Sequence, residues 1–328
     1  MNIVIISDWF SDNMGYAENY LPVALSKQAV QVHVITSDLQ IYATHTELYK
    51  KIYEPYLGSA IVPIGKKELN GFTLHRLLSY RTKYGIGICG LKEKLKELKP
   101  DIVYLFEINT ETTLQVVKLK PSLNFKIFTA SRLHLSIYRP PHTIKKRLKH
   151  YFEKLKWEKV GKFFEKIYPI APDVLLVITK YFGQNKNKCE LSSLAVDINN
   201  FKPIISEEER FRREEIRKKN GFKEQDIICI YTGRFNNEKG TLLLAQAINY
   251  LHQKGKINFK GLFVGAGAEE YEKDIQRNKG CIIHPFIQST ELVKYYQAAD
   301  IGVWPKQEST SQLDAIACGL PIIISSKV

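Results

Sequence analysis

The sequence predicts an α/β protein built from two doubly wound domains, and three observations carry that expectation. Short apolar runs alternate with amphipathic stretches along the whole chain, the rhythm of parallel sheets covered by helices on both faces. That rhythm breaks at Val196-Asp197-Ile198-Asn199-Asn200-Phe201-Lys202-Pro203 and restarts near Asp226. With 328 residues, the chain exceeds a single core of about 100–150 residues. The division falls near residue 200, giving domains of 1–200 and 201–328.

In the first domain, residues 3–6 form a buried strand, 16–27 an amphipathic helix and 30–36 an alternating strand. A charged helix over 91–98 is closed by Lys99-Pro100, since the residue before proline avoids helical geometry. Residues 101–106, 126–129 and 174–179 read as further strands, and 144–167 as one long basic helix. In the second domain, a helix over 206–220 precedes strands at 227–232, 259–264, 281–284, 301–304 and 321–325. Helices over 241–253, 268–277, 290–298 and 309–318 separate them. The sequence stops shortly after the last strand, where a doubly wound sheet would add another helix, so either a C-terminal segment is missing or the last strand is an exposed edge.

Composition narrows the function. The charged fraction of 25% and hydrophobic fraction of 44% exclude wholesale disorder. No apolar run approaches the ~20 residues of a membrane span, and the N-terminus lacks the pattern of a signal peptide. Five scattered cysteines, none in a Cys-x-x-Cys pair, point to a reduced cytoplasm and away from a zinc site. Net charge is uneven: +11 over residues 1–200 and +3 over 201–328. Such asymmetry suggests an anionic partner for the first domain.

Three loops of the second domain carry candidate chemistry. Gly233-Arg234-Phe235-Asn236-Asn237-Glu238-Lys239-Gly240 follows a strand and precedes a helix. Gly233 permits close approach of a ligand, and an arginine fork with a lysine point charge suits a diphosphate. The same loop could equally be a polar connection with two solvated cations. Gly265-Ala266-Gly267 is a second glycine turn, but Glu270 stands where a dinucleotide fingerprint needs its third glycine. In the third loop, Glu308-Ser309-Thr310-Ser311 opens a helix that contains Asp314. The first turn of a helix offers N–H groups to a phosphate, and an acid can accept hydrogen bonds from sugar hydroxyls. Alternatively, Glu308 merely complements the helix dipole.

The ordered set of these pieces resembles family 4 glycosyltransferases. It comprises the Asp8–Gly15 loop, Lys99-Pro100-Asp101-Ile102-Val103, Phe201-Lys202-Pro203, Gly233-Arg234…Glu238-Lys239-Gly240, Gly265-Ala266-Gly267, Ala298-Ala299-Asp300…Pro305 and Glu308…Asp314-Ala315-Ile316-Ala317-Cys318-Gly319-Leu320-Pro321. The resemblance implies the GT-B fold, two Rossmann-like domains facing each other across a cleft. The first would bind the acceptor and the second a nucleotide-diphosphate sugar, UDP- or GDP-linked, with no metal required. Arg234 and Lys239 would hold the diphosphate, with Gly233, Gly265, Gly267, Ser309, Thr310 and Ser311 around it. Asp314 would meet the ribose and Glu308 the transferred sugar. In the first domain, Gly15 would lie near the donor, and His134 would face the transferred sugar; Glu107 is a further candidate. Five residues separate Glu308 from Asp314 where the family has seven, and Asp314 replaces a glutamate. The implied reaction is retaining transfer of a hexosyl group to a glycan or lipid-linked acceptor in polysaccharide biosynthesis. A GT-B nucleotide-sugar epimerase, or a non-catalytic membrane- or anion-binding protein on the same scaffold, are the alternatives.

One segment stands outside that scheme. Residues 144–167 hold nine basic and three acidic side chains, with aromatic and aliphatic residues at helical spacing. A helix of this kind can lie on an anionic membrane surface, or can pack its apolar side on its own domain. Nucleic acid is not expected as a partner, because no base-reading motif accompanies the charge.

Overall fold

The computed structural model describes residues 1–12, 14–306 and 308–326. Asn13 of the Asp8–Gly15 loop and Gln307 of the strand-to-helix segment before Glu308 lie outside the described residues, as do Lys327 and Val328. The chain forms two compact units, the first running to Leu194 and the second from Ala195, with short stretches around Gly15 and Lys50–Gly58 grouped with the second.

The first unit contains β1 (Asn2–Ser7), α1 (Ala17–Ser26), β2 (Gln31–Ser37) and the single turn α2 (Thr46–Leu48); α3 (Glu54–Leu57) lies in the stretch that joins the second unit. The first unit continues with β3 (Gly65–Leu69), β4 (Phe72–Leu77), β5 (Ser79–Thr82), β6 (Gly85–Ile88), α4 (Leu91–Leu98), β7 (Ile102–Leu105), α5 (Glu111–Leu119) and β8 (Lys126–Ser131). It ends with α6 (Ile144–Gly161), β9 (Phe164–Pro169) and α7 (Pro172–Phe182). Its seven-stranded sheet has the order β3-β4-β2-β1-β7-β8-β9, parallel except for the β3–β4 pair. Side chains of β1 alternate between two cores. Val4 and Ile6 join one with Val103, Leu105 and Trp157, while Ile3 and Ile5 join another with Val34 and Leu74. Period-two alternation with both sets buried is what a central parallel strand requires.

Two expectations fail here. Residues 174–179 belong to the helix α7, not to a strand. A short buried apolar run fits either element, and Pro172 at the first turn decides for the helix. The basic helix ends at Gly161 rather than 167; Phe164 and Ile167 sit on β9 and are buried in the core.

The second unit contains α8 (Glu207–Lys219), β10 (Ile227–Phe235), α9 (Thr241–Gln253), β11 (Phe259–Gly267), α10 (Glu269–Gln276), β12 (Cys281–His284), α11 (Ser289–Ala298), β13 (Ile301–Trp304), α12 (Ser311–Ala317) and β14 (Ile322–Ile324). All five strands are parallel, in the order β12-β11-β10-β13-β14. Ser206 and Glu209 close a capping box on α8, whose first turn is acidic and last turn basic, as the helix dipole favours. Arg213 and Arg217 then clamp α8 to the sheet through Asp300, at 2.6 and 3.2 Å.

The strand order sets the position of ligand sites. From β10 the chain runs outward to β11 on one side and returns to β13 on the other. Ligands of open α/β sheets bind beyond the carboxyl ends of strands at such a reversal. In the second unit those ends carry Gly233-Arg234 and Trp304-Pro305. In the first unit the equivalent ends belong to β1 and β7, and they lead to Asp8 and Glu107.

Gly265 and Gly267 have a packing reason to be glycine. A Cβ on Gly265 would lie 2.0 Å from the Gly233 carbonyl oxygen, and one on Gly267 2.4 Å from that of Phe235. Gly265 also holds φ at 145°, a region that side chains disfavour. Gly265→Ala is expected to destabilise the protein by about 3 kcal/mol. The control Gly255→Ala, at a positive φ but in open space, should cost about 1 kcal/mol, with both values read from urea unfolding.

Candidate functional site

The loops that follow β10 and β13 interlock. Asn236 Oδ1 accepts the backbone N–H of Lys239 at 2.8 Å, an Asx-type turn that folds the first loop back. That turn directs the Lys239 ammonium onto the second loop, where it donates to the Glu308 carbonyl at 2.7 Å. Lys306 makes a second tie, donating to the carbonyl and side-chain oxygens of Asn237 at 2.9 and 3.0 Å. Gly240, at φ 71°, leaves room for the Lys306 stem, which a Cβ there would meet at 2.8 Å.

Arg234 and Lys239 are electrostatic neighbours. Burial pulls the Lys239 ammonium below its usual range, and the Arg234 guanidinium pulls the same way against the opposing Glu308 carboxylate. Two like charges are therefore held close on one loop. That arrangement is unfavourable in itself and favourable around an anion.

Asp314 is mainly buried, in the first turn of α12, and accepts no side-chain hydrogen bond from the described residues. Burial alone pushes its carboxyl up to about 7. Ser311, by contrast, is largely used inside the protein. Its hydroxyl donates to the Thr232 carbonyl at 3.2 Å, accepts from Trp304 Nε1 at 3.1 Å and lies 2.7 Å from the Ser309 hydroxyl. Tyr296, fully buried, bonds both Thr232 and the Ser311 carbonyl. This network fixes the start of α12 against β10. Thr310 is exposed, and it caps the helix in backbone geometry without a side-chain bond. Gly233 is exposed at φ 132°, beside Arg234.

In the first unit, His134 follows β8 and turns its Nδ1 toward both oxygens of Asp173, at 3.1 and 3.2 Å. The Asp173 carboxyl also accepts the Leu135 N–H at 3.0 Å; despite some burial, that bond and His134 hold it below the usual carboxylate range. A carboxylate on Nδ1 fixes the ring orientation and tautomer of a histidine. Gly15 adopts φ 71° and groups with the second unit.

A set of acids that the sequence reading did not single out, apart from Glu107, surrounds the ends of β1 and β7. Asp8, pushed up to about 6 by burial, accepts from the Thr112 hydroxyl at 2.5 Å. Glu107, also raised by burial, accepts the backbone N–H groups of Ile108 and Arg132 at 3.0 and 2.9 Å. Arg132 in turn pairs with Glu18 at 2.8 Å. Among the described residues, no group of three or more His, Cys, Asp or Glu is placed to hold a metal ion.

Two doubly wound units with these strand orders have the fold of the GT-B class. Solved structures of that kind share the fold over almost the whole chain. Sucrose-phosphate synthase from Thermosynechococcus elongatus superposes with a TM-score of 0.67 at 14% identity, over 99% of this chain and 81% of its own. HepE from Anabaena, in complex with UDP, gives 0.65 at 15% identity over 99% and 81%. Residues 212–328, within the second unit, match the family described as glycosyl transferases group 1. Within the curated proteins, a putative teichuronic acid biosynthesis glycosyltransferase, TuaC of Bacillus subtilis, is 32% identical over 114 residues. A D-inositol 3-phosphate glycosyltransferase of Xylanimonas cellulosilytica is 21% identical over 157 residues. The matched stretches are 34% and 45% of this chain and only 28% and 37% of those relatives.

Proposed function

We propose that the protein is a retaining glycosyltransferase of family 4 that moves a hexosyl group from a UDP- or GDP-sugar to a glycan or lipid-linked acceptor. The observation that carries this reading is the Lys239–Glu308 tie. It joins the cationic loop after β10 to the acidic loop after β13 at the reversal of strand order. The named relatives and the UDP-bound neighbour support the same chemistry.

In this scheme the bond between the sugar C1 and the diphosphate oxygen breaks, and the electron pair leaves with the diphosphate. Arg234 and Lys239 stabilise that developing charge without a required metal. Asp314 accepts hydrogen bonds from the ribose, and Glu308 positions the transferred sugar. The acceptor oxygen bonds to C1 on the face that the diphosphate vacates, and its proton passes to the departing phosphate oxygen. His134, oriented by Asp173, addresses the transferred sugar. Asp8 and Glu107 supply acceptors for the hydroxyls of the incoming acceptor.

Thermal unfolding of the whole chain with UDP, GDP and their sugars tests the donor assignment. One nucleoside diphosphate is expected to stabilise the protein by about 2.7 kcal/mol at a hundredfold excess over its Kd. No shift with any of them would remove the donor site. Transfer of a labelled sugar to acceptor, as against epimerised free donor, then distinguishes transferase from epimerase.

A further inference from the structure

Helix α6 places its apolar stripe on the wrong side for a core. Trp157, Val160 and Gly161 are buried and form its inward side, with Trp157 packed edge-on against Tyr84 at 5.5 Å. Ile144, Leu148, Tyr151, Phe152 and Leu155 follow the spacing i, i+4, i+7, i+8, i+11 and so share one face. At 3.6 residues per turn that face is roughly opposite Trp157. Their exposures are 87, 60, 56, 63 and 38%. Five large apolar side chains thus point to solvent from a helix that already has a packed side.

Charge accompanies them. Lys145, Arg147 and Lys159 flank the stripe, and Lys149 lies further round; all four are exposed. The first turn has no acidic residue and begins with consecutive cations. Cations at a helix N-terminus oppose the dipole, so their placement does not serve the helix itself. An anionic surface lying along the helix would offset that cost. Beside the stripe, α5 and α6 enclose an open groove of about 440 Å³, floored by Leu114, Val117 and Leu155 and edged by Lys118 and Lys159.

We propose that α6 docks the protein on an anionic bilayer, with the apolar stripe inserted at the acyl boundary and the lysines on lipid phosphates. An aqueous polyanion would satisfy the lysines but not the aliphatic stripe. A second copy of this helix would set cations against cations. A bilayer interface with anionic headgroups satisfies both sets of groups. The inference rests on α6 alone and is independent of the donor chemistry.

Co-sedimentation of the whole chain with phosphatidylcholine vesicles, with and without one-third phosphatidylglycerol, tests it. Binding is expected only to the anionic vesicles and should weaken as salt rises. Lys145→Ala, Arg147→Ala and Lys159→Ala together should lower the partition about 100-fold. The double variant Leu148→Glu, Phe152→Glu should lower it at least as far, with the melting temperature unchanged because both side chains are exposed. Failure to bind, equal binding to neutral vesicles, or an unaffected double variant would each overturn the proposal. So would duplex DNA binding that is as tight and indifferent to the apolar substitutions, or a dimer in light scattering that the double variant dissolves while vesicle binding persists.

Discussion

Arg234→Ala is expected to weaken nucleoside diphosphate binding by about 10–100-fold. A charge-assisted hydrogen bond to phosphate contributes about 1.5–3 kcal/mol, which sets that figure. Arg234 also helps to lower the Lys239 ammonium, so the substitution takes one of two neighbouring cations away from a bound anion. Arg234→Lys should fall between, since lysine keeps the charge and loses the fork. Lys239→Ala should differ, because its ammonium also holds the Glu308 carbonyl, so it should lose both binding and some stability. Calorimetric titration with UDP and GDP, paired with urea unfolding of the empty protein, separates these outcomes. A variant at Arg234 that loses stability but keeps its nucleotide affinity would make the loop a structural connection.

Much of the second unit is legible in the sequence because its strands are apolar runs bounded by glycine, proline or charged residues. The helix 241–253 and the strands 281–284 and 301–304 match the observed elements end to end. Residues 174–179 misled for a physical reason: Val174, Val177 and Ile178 are fully buried, and a wholly apolar run has no period to reveal its geometry. Strand β9 was hidden inside the basic stretch because Glu165 and Lys166 sit together between buried Phe164 and Ile167, a three-residue spacing that reads as helical. Strands β3 and β5 carry too many exposed polar positions to stand out, and β4, though buried, mixes polar Thr73, His75 and Arg76 with its apolar residues. In the site, glycine and charge marked the loops after β10 and β13. The pairing of His134 with Asp173, and of Glu18 with Arg132, joins residues 39 and 114 positions apart, which only the closed sheet brings together.

Asp314→Asn should raise stability at pH 8 by about 4 kcal/mol, have no effect near pH 3, and weaken nucleotide binding. In the unfolded chain this carboxyl releases its proton near 3.8; in the folded protein burial delays release to about 7. Between those values the folded state keeps a proton that the unfolded state has lost, so stability falls as pH rises. Above 7 the full penalty of a buried carboxylate is present, at about 1.4 kcal/mol per pH unit of displacement. Asparagine carries no charge and escapes it. A residue kept at such a cost, with no side-chain hydrogen bond from the described residues, is suited to a ligand that supplies the missing donors, as a ribose diol does. UDP affinity of the wild type should therefore climb between pH 6 and 8, while that of Asp314→Asn should stay flat and about tenfold lower. Urea unfolding and calorimetry across that range read both quantities on one sample. A stability difference independent of pH would show that the carboxylate is solvated; an equal affinity for both proteins would take Asp314 out of the donor site.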